Sequence, residues 1–157
     1  MDTFRNIKIK SNRIDIQMKN KNELNVMIMN TRTIRDYLKR ILVMDLLRNK
    51  EVDIAFVNET FLLKTDKLYL EGYKIFRDDN CIQRRKGVAI IINRNLNINI
   101  QRIAADPNGR FVKVRIQNRE TSETLTCSCV YLEPNGDIND INKIIFASDV
   151  IVPKRIG

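Results

Sequence analysis

The sequence predicts a mixed α/β protein containing half of a two-sheet sandwich, and three observations lead to this fold class. Residues 24–29 and 52–57 are apolar runs separated by a segment with helical periodicity, which is the strand–helix–strand order of a parallel pair. From residue 73 onward, further strand-like runs follow one another with turn-forming residues between them. Polar and apolar residues alternate within several of these runs, as in antiparallel strands with one solvated face.

The first 22 residues form a polar, basic lead-in to the body of the chain. Residues 7–10 and 14–16 alternate between apolar and polar side chains, which fits a weak edge strand. A frayed tail fits the same composition equally well. We therefore divide the chain into this lead-in, residues 1–22, and one partial α/β domain, residues 23–157.

The first helix is predicted to begin after Thr33 and to end near Arg48. Thr33 has the side chain of an N-cap residue, and Asp36 follows three positions later as in a capping box. Asp45 interrupts the predicted buried face. The apolar residues expected on that face at 3.6-residue spacing are Ile34, Tyr37, Leu38, Ile41, Leu42 and Met44.

The second half of the prediction is mainly strands. The segments that separate them have turn chemistry, as in residues 78–80, 93–95, 106–109 and 118–120. After these strands we expect a short helix at residues 140–148 and a buried strand at residues 150–152. The predicted strands are residues 73–76, 87–93, 97–103, 111–117 and 124–131.

Composition favours an intracellular protein with an anionic partner. The formal net charge is +9, which points to nucleic acid first and to an acidic membrane surface second, although a solvated Lys/Arg-rich surface also explains it. Three cysteines without a pairing pattern suggest a reducing compartment. No apolar run approaches the roughly 20 residues of a membrane helix. With nucleic acid as the preferred anionic partner, we expect no membrane among the partners.

Polar residues stand at the ends of three apolar runs, where α/β proteins place their sites. Asn30 ends the first run, Glu59 follows the second, and Tyr131 ends a later one. Each has an ordinary alternative when taken alone. Asn30 could be a turn residue, Glu59 a cap, and Tyr131 a core aromatic. Their order along the chain is more informative than any single residue.

That order resembles the endonuclease/exonuclease/phosphatase superfamily, which includes deoxyribonuclease I. The segments that carry the resemblance are Asn30, Asn58-Glu59-Thr60, and Tyr131 with Pro134 three positions later. Residues 72–77 and 85–90 add two weaker matches. The resemblance is strongest to the N-terminal endonuclease domain of non-LTR retrotransposons, and it implies the N-terminal half of a deoxyribonuclease I-like sandwich.

The resemblance also implies roles for individual residues. Glu59 takes the place of the principal ligand of a catalytic Mg²⁺, and Asn30 and Tyr131 take the places of catalytic residues that contact the attacked phosphate. The chain departs from the family where Thr31 and Thr33 replace an apolar residue and a commonly found Gly. We expect four cationic residues to bind nucleic acid: Arg32, Arg84, Arg85 and Lys86.

Two parts of the family's catalytic machinery are missing from these residues. The sequence contains no His, so no imidazole is present to activate water. Residues 136–139, Gly-Asp-Ile-Asn, look like the family's Gly-Asp-x-Asn motif but lie in a turn soon after Tyr131. We interpret Asp137 and Asn139 as turn and helix-capping residues. We therefore expect a truncated domain that is inactive by itself, with Mg²⁺ binding weak or vestigial.

Three functional hypotheses remain from the sequence. The first is an endonuclease-like domain of a retroelement, whose ancestral reaction is Mg²⁺-dependent nicking of DNA for reverse transcription. The second is a non-catalytic nucleic-acid-binding remnant, and the third is a phosphoesterase acting on inositol phosphates or lipids. The first predicts DNA as the partner, the remainder of a retroelement polyprotein as a second partner, and action in the nucleus. Whether the chain is an enzyme stays open.

Overall fold

Nine strands and one helix make up the part of the chain that the structure, a computed structural model, describes: residues 4–10, 13–18, 23–77, 86–105, 109–131 and 139. In order, the elements are β1 (Phe4–Lys10), β2 (Arg13–Met18), β3 (Glu23–Asn30), α1 (Tyr37–Asn49), β4 (Ile54–Asn58), β5 (Tyr73–Arg77), β6 (Val88–Asn93), β7 (Ile98–Ala105), β8 (Phe111–Asn118) and β9 (Thr124–Val130).

The strands form two sheets. The first has six strands in the order β1-β2-β3-β4-β6-β5, and the second has three in the order β7-β8-β9. Strands β3 and β4 are parallel, as the strand–helix–strand pattern predicts, because α1 carries the chain back across the sheet between them. The other described strand pairs are antiparallel. The mixed α/β, two-sheet prediction is confirmed.

Two hydrophobic layers hold these elements together. One lies between the sheets, where Val26, Ile54 and Ile90 pack with Val112 and Val114 and neighbouring apolar residues. The other lies between the first sheet and α1. Strand β6 contributes alternate residues to both layers and is buried on both faces, which explains its uninterrupted apolar sequence.

The helix differs from its prediction in both its start and its buried face. Asp36 is the N-cap, and its carboxylate accepts a hydrogen bond from the Leu38 amide at 2.7 Å, so the Thr33 prediction is wrong. Val43 and Leu47 are the buried residues of α1, whereas Tyr37, Leu38 and Leu42 are exposed. The helix is rotated from the expected face, with Val43 and Leu47 in the hydrophobic layer that also contains Ala55 and Val57. Asp45 consequently lies on a solvated face.

The basic lead-in contains the two strands of a hairpin. Strand β1 pairs with β2, and β2 pairs with β3 from Arg13 opposite Met27 onward, which extends the first sheet. The edge-strand interpretation of this segment therefore matches the structure. The helix and strand predicted at residues 140–148 and 150–152 lie outside the described residues. Within the described ranges no helix is both long and apolar enough to cross a lipid bilayer.

Candidate functional site

Asn30 and Glu59 lie at one edge of the first sheet. Because β3 and β4 are parallel and in register, Asn30 stands directly opposite Asn58, and Glu59 is the next residue along the chain. On the other side of β4, Val88 at the start of β6 is opposite Asn58. The edge is therefore formed by the ends of β3 and β4 and the beginning of β6, and we call it the polar edge.

The loops that follow β3 and β4 stay bonded to one another beyond the strands. The Thr33 amide donates to the Glu59 carbonyl at 2.9 Å, and the Ile34 amide donates to the Thr60 carbonyl at 3.0 Å. The Thr31 side chain is buried, and its Oγ1 lies 3.2 Å from the Asn58 carbonyl and 3.1 Å from the Glu59 carbonyl. Thr31 thus fixes the backbone that carries Glu59, a role that the sequence did not reveal.

Several residues of these loops have backbone angles that side chains rarely adopt. The φ angles are 47° at Arg32, 117° at Thr33, 55° at Glu59 and 54° at Phe61. Non-glycine residues in such conformations cost on the order of 1–3 kcal/mol each and cluster at functional sites. Thr33 is the most unfavourable because it is β-branched, and it occupies the position where the resembled family commonly has Gly.

Replacing Thr33 with Gly is expected to stabilise the protein by about 1 kcal/mol. Glycine relieves the strain of the positive φ, which lowers the free energy of the folded state. Two smaller effects oppose this gain: Gly has more conformational entropy in the unfolded chain, and the 3.3 Å hydrogen bond from the Arg35 amide to Thr33 Oγ1 is lost. Urea unfolding followed by circular dichroism measures the change. Thr121→Gly is the matched control, since Thr121 Oγ1 accepts the same kind of bond from Glu123 at 3.3 Å without a positive φ. Thr121→Gly should destabilise. Equal destabilisation by both variants would contradict the assignment of strain to Thr33.

Tyr131 reaches the polar edge from the second sheet. Strand β9 crosses β4 so that Cys129 Sγ lies 3.3 Å from Asn58 Oδ1 and 3.7 Å from the Val57 carbonyl. Tyr131 follows two residues later, beyond the end of β9, where its amide donates to the Arg110 carbonyl at 2.7 Å. Asn30, Glu59 and Tyr131 therefore lie at the same end of the two-sheet stack.

Gly87 joins the two sheets at this end. Its amide donates to the carbonyl of Gly109, which lies just before β8 of the second sheet, and its carbonyl accepts from the Thr60 amide, both at 3.1 Å. Its φ is +115°, and a Cβ at this position would lie 2.2 Å from Thr60 Oγ1. Only glycine meets both conditions, because a side chain would strain the backbone and collide with the buried Thr60 hydroxyl.

The Glu59 carboxylate has the features of a cation ligand. The side chain is half-buried, and no side chain or amide in the described part of the chain donates a hydrogen bond to its oxygens. No three His, Cys, Asp or Glu residues come together as a metal site among the described residues. One free carboxylate fits Mg²⁺, which commonly keeps several waters and uses one or two carboxylates together with phosphate oxygens.

Asn30 and Tyr131 present groups suited to a phosphate. Asn30 Oδ1 accepts from the Arg32 amide at 3.0 Å, so the remaining Nδ2 group is the donor that points away from the loop contact. Tyr131 is half-buried and its ring packs against the core between the sheets. No residue that the structure describes forms a hydrogen bond with its hydroxyl. The polar edge thus combines a carboxylate, an amide donor and a phenol hydroxyl.

Burial makes the two described cysteines unreactive. Burial raises the pKa of both the Cys127 and the Cys129 thiol to about 12, so both stay neutral at physiological pH. Their common face, predicted from the Cys-Ser-Cys alternation, is confirmed by the burial of both residues and the exposure of Ser128. Cys129 thus acts as a neutral contact to Asn58 rather than as a nucleophile or a metal ligand.

The cationic residues predicted to bind nucleic acid are only partly described. Arg32 is exposed in the loop after β3, and the Lys86 carbonyl accepts from the Phe61 amide at 2.9 Å, so both belong to the polar edge. Arg84 and Arg85 lie outside the described residues. Arg110 is an additional cationic residue at this edge, beside Tyr131. In the sequence Arg110 stands between a predicted turn and a predicted strand, and this pattern does not indicate that it lies near Tyr131.

A solved structure shows which fold this arrangement belongs to. The endonuclease domain of TRAS1, a telomere-specific non-LTR retrotransposon, superposes on 83% of this chain with a TM-score of 0.58 and 18% sequence identity. The fold is deoxyribonuclease I-like. At this level of identity the similarity concerns the fold alone, and the chain spans 54% of that domain's length.

The sequence comparisons are negative. No protein-family model matches the chain, and no curated protein matches it. The roles of Asn30, Glu59, Tyr131 and the cationic residues therefore stay predictions that rest on the geometry of the polar edge.

Proposed function

We propose that the chain is an endonuclease-type domain of retroelement origin whose polar edge binds the phosphates of DNA together with Mg²⁺. One observation carries the proposal: the free carboxylate of Glu59 lies at the same end of an endonuclease-like fold as Asn30 and Tyr131. The net charge of +9 supports an anionic partner of this kind.

Each residue has a defined part in this proposal. Glu59 would hold Mg²⁺, and the ion would supply charge neutralisation at a phosphate oxygen. Asn30 Nδ2 donates to a non-bridging oxygen, and the Tyr131 hydroxyl stabilises negative charge on the same group. Thr31 keeps Glu59 in its left-handed conformation through the two carbonyls that it contacts. Arg32 and Lys86 add charge for neighbouring phosphates.

The 157 residues bind but do not cleave in this proposal. They contain no His. Asn139, interpreted from the sequence as a turn or helix-capping residue, is helical in the structure. Water activation therefore lacks its base, and the domain by itself retains recognition without chemistry. In a longer polypeptide the same edge would contribute the metal and phosphate contacts of a nuclear, DNA-nicking enzyme.

Paramagnetic Mn²⁺, used in place of Mg²⁺, tests the metal site by NMR. We expect substoichiometric Mn²⁺ to broaden the amide signals of Asn30, Glu59 and Tyr131 first, and this localised broadening should disappear in Glu59→Ala. Glu120→Ala is the matched control, since Glu120 is an exposed residue in the turn that follows Asn118, at the opposite end of the second sheet. Broadening that is unchanged in Glu59→Ala, or equally reduced in Glu120→Ala, would exclude Glu59 as the ligand.

A further inference from the structure

A cationic cavity lies beside the polar edge and plays no part in the site described above. Its volume is about 430 Å³, within the usual range of small-molecule pockets, and it opens along the outer edge of β5. Among the described residues that line it, four are cationic and one is a carboxylate, which together carry a formal charge of +3: Lys64, Lys67, Arg77, Arg102 and Asp66.

The two arginines are held in place by backbone carbonyls. Arg77 donates to the carbonyls of Leu63 and Asp66, and Arg102 donates to the Arg77 carbonyl at 2.8 Å. Residues 63–66 form the loop that lines the cavity opposite β5. The Leu63 amide closes this loop by donating to Asp66 Oδ2 at 2.9 Å. The arginines are therefore preorganised, because these contacts hold their guanidinium groups in place.

The two lysines are free to meet a ligand. Lys64 and Lys67 are exposed, and neither ammonium group has a hydrogen-bond or ion-pair partner among the residues described. Two fixed guanidinium groups and two free ammonium groups around one cavity favour a phosphate, because its oxygens accept from an arginine fork and from point charges together.

The cavity lies near the end of the first sheet that carries Glu59. Arg77 is opposite Ala89, and Ala89 is opposite Val57, so Arg77 is level with a residue only two positions before Glu59. Two strand spacings of about 4.8 Å separate the backbones of Arg77 and Val57 by about 10 Å. A single nucleic-acid strand, which carries one phosphate per nucleotide, can therefore reach both places within a few nucleotides.

We infer that the cavity lined by Lys64, Lys67, Arg77 and Arg102 binds a backbone phosphate on the same nucleic-acid strand as the phosphate at Glu59, a few nucleotides away. The inference rests on the proposed function, and it adds a second contact that fixes the direction of the strand across the sheet. The polar edge alone contacts one phosphate and its neighbours. A second contact on β5 requires the strand to run from β3 and β4 toward the β5 edge.

The test is the salt dependence of binding to a short DNA duplex, measured by fluorescence anisotropy. The double variant Lys64→Ala/Lys67→Ala removes the two free lysines and leaves the bracing arginines intact. We expect weaker binding and a log-affinity against log-salt slope reduced by about 1, the value for one lost phosphate contact. The control Lys50→Ala/Arg119→Ala removes the same charge from exposed positions at the opposite edge, and its slope should equal that of the wild type.

The possible outcomes separate this inference from the proposed function. If Lys64→Ala/Lys67→Ala binds DNA with the same affinity and salt slope as the wild type, the phosphate site in the cavity is rejected and the site at the polar edge is not affected. No binding to duplex at low salt overturns both. Two competitors complete the test: polyglutamate of matched charge and a free nucleoside monophosphate. Either one binding as tightly as DNA in a Lys64- and Lys67-dependent manner would show an acidic-peptide or small-nucleotide site instead.

Discussion

Replacing Gly87 with Ala is expected to destabilise the protein by about 3 kcal/mol or more. A Cβ at this position would stand 2.2 Å from the Oγ1 of the buried Thr60, at a φ of +115°. Backbone strain contributes about 1–2 kcal/mol, and overpacking of a well-packed site contributes about 1–3 kcal/mol. The change is measured as the shift in the urea midpoint, followed by far-ultraviolet circular dichroism because the chain has no Trp.

Gly72→Ala separates the two contributions. Gly72 also has a positive φ, +86°, but nothing lies within 4 Å of a Cβ built there. This variant should lose only the strain energy, about 1–2 kcal/mol. Equal losses of unfolding free energy in the two variants would mean that a Cβ at position 87 does not collide with Thr60 Oγ1. The statement that only glycine fits at this position would then be wrong.

The second large effect concerns catalysis: residues 1–157 are expected to show no detectable nicking of supercoiled plasmid in the presence of Mg²⁺. General-base assistance is worth about 10²–10⁴-fold, and the chain has no His to supply it. In the resembled family an Asp and an Asn of the Gly-Asp-x-Asn motif also flank the phosphate. Without such groups we expect the rate of cleavage to fall further. The assay is plasmid relaxation on agarose gels, with Glu59→Ala prepared identically to reveal contaminating nuclease.

Nicking that persists in Glu59→Ala would come from a contaminant. Nicking by the wild type that disappears in Glu59→Ala would overturn the inactivity prediction, and Asp137→Ala and Asn139→Ala would then identify whether the turn segment supplies the missing groups. The absence of both nicking and low-salt DNA binding would remove the proposed function altogether.

The parts of the fold that were predictable from sequence are those in which pattern and burial coincide. Strand β6 is uniformly apolar because it is buried on both faces, and the parallel pairing of β3 and β4 follows from the helix between them. The orientation of α1 was not predictable, because its apolar residues are spread around the helix and only long-range packing against the first sheet buries Val43 and Leu47 rather than the others. The N-cap was not predictable either, because Thr33 and Asp36 both have side chains that can cap a helix. The structure uses Asp36.

The candidate site was partly predictable for a different reason. Polar residues at strand ends mark the edge of a sheet, so Asn30 and Glu59 could be placed there from the sequence. The support beneath them depends on long-range contacts. Neither the Thr31 contacts to the carbonyls after β4 nor the approach of Arg110 to Tyr131 leaves a local pattern in the sequence.

The contact between Cys129 and Asn58 has a kinetic consequence. It joins residues that are 71 positions apart, whereas the Asn58 and Thr31 contact spans 27 positions. Closing the longer loop costs more chain entropy and has to wait until β8 and β9 are paired. Tyr131 would accordingly be delivered to Asn30 and Glu59 late in folding, after the parallel pair has formed.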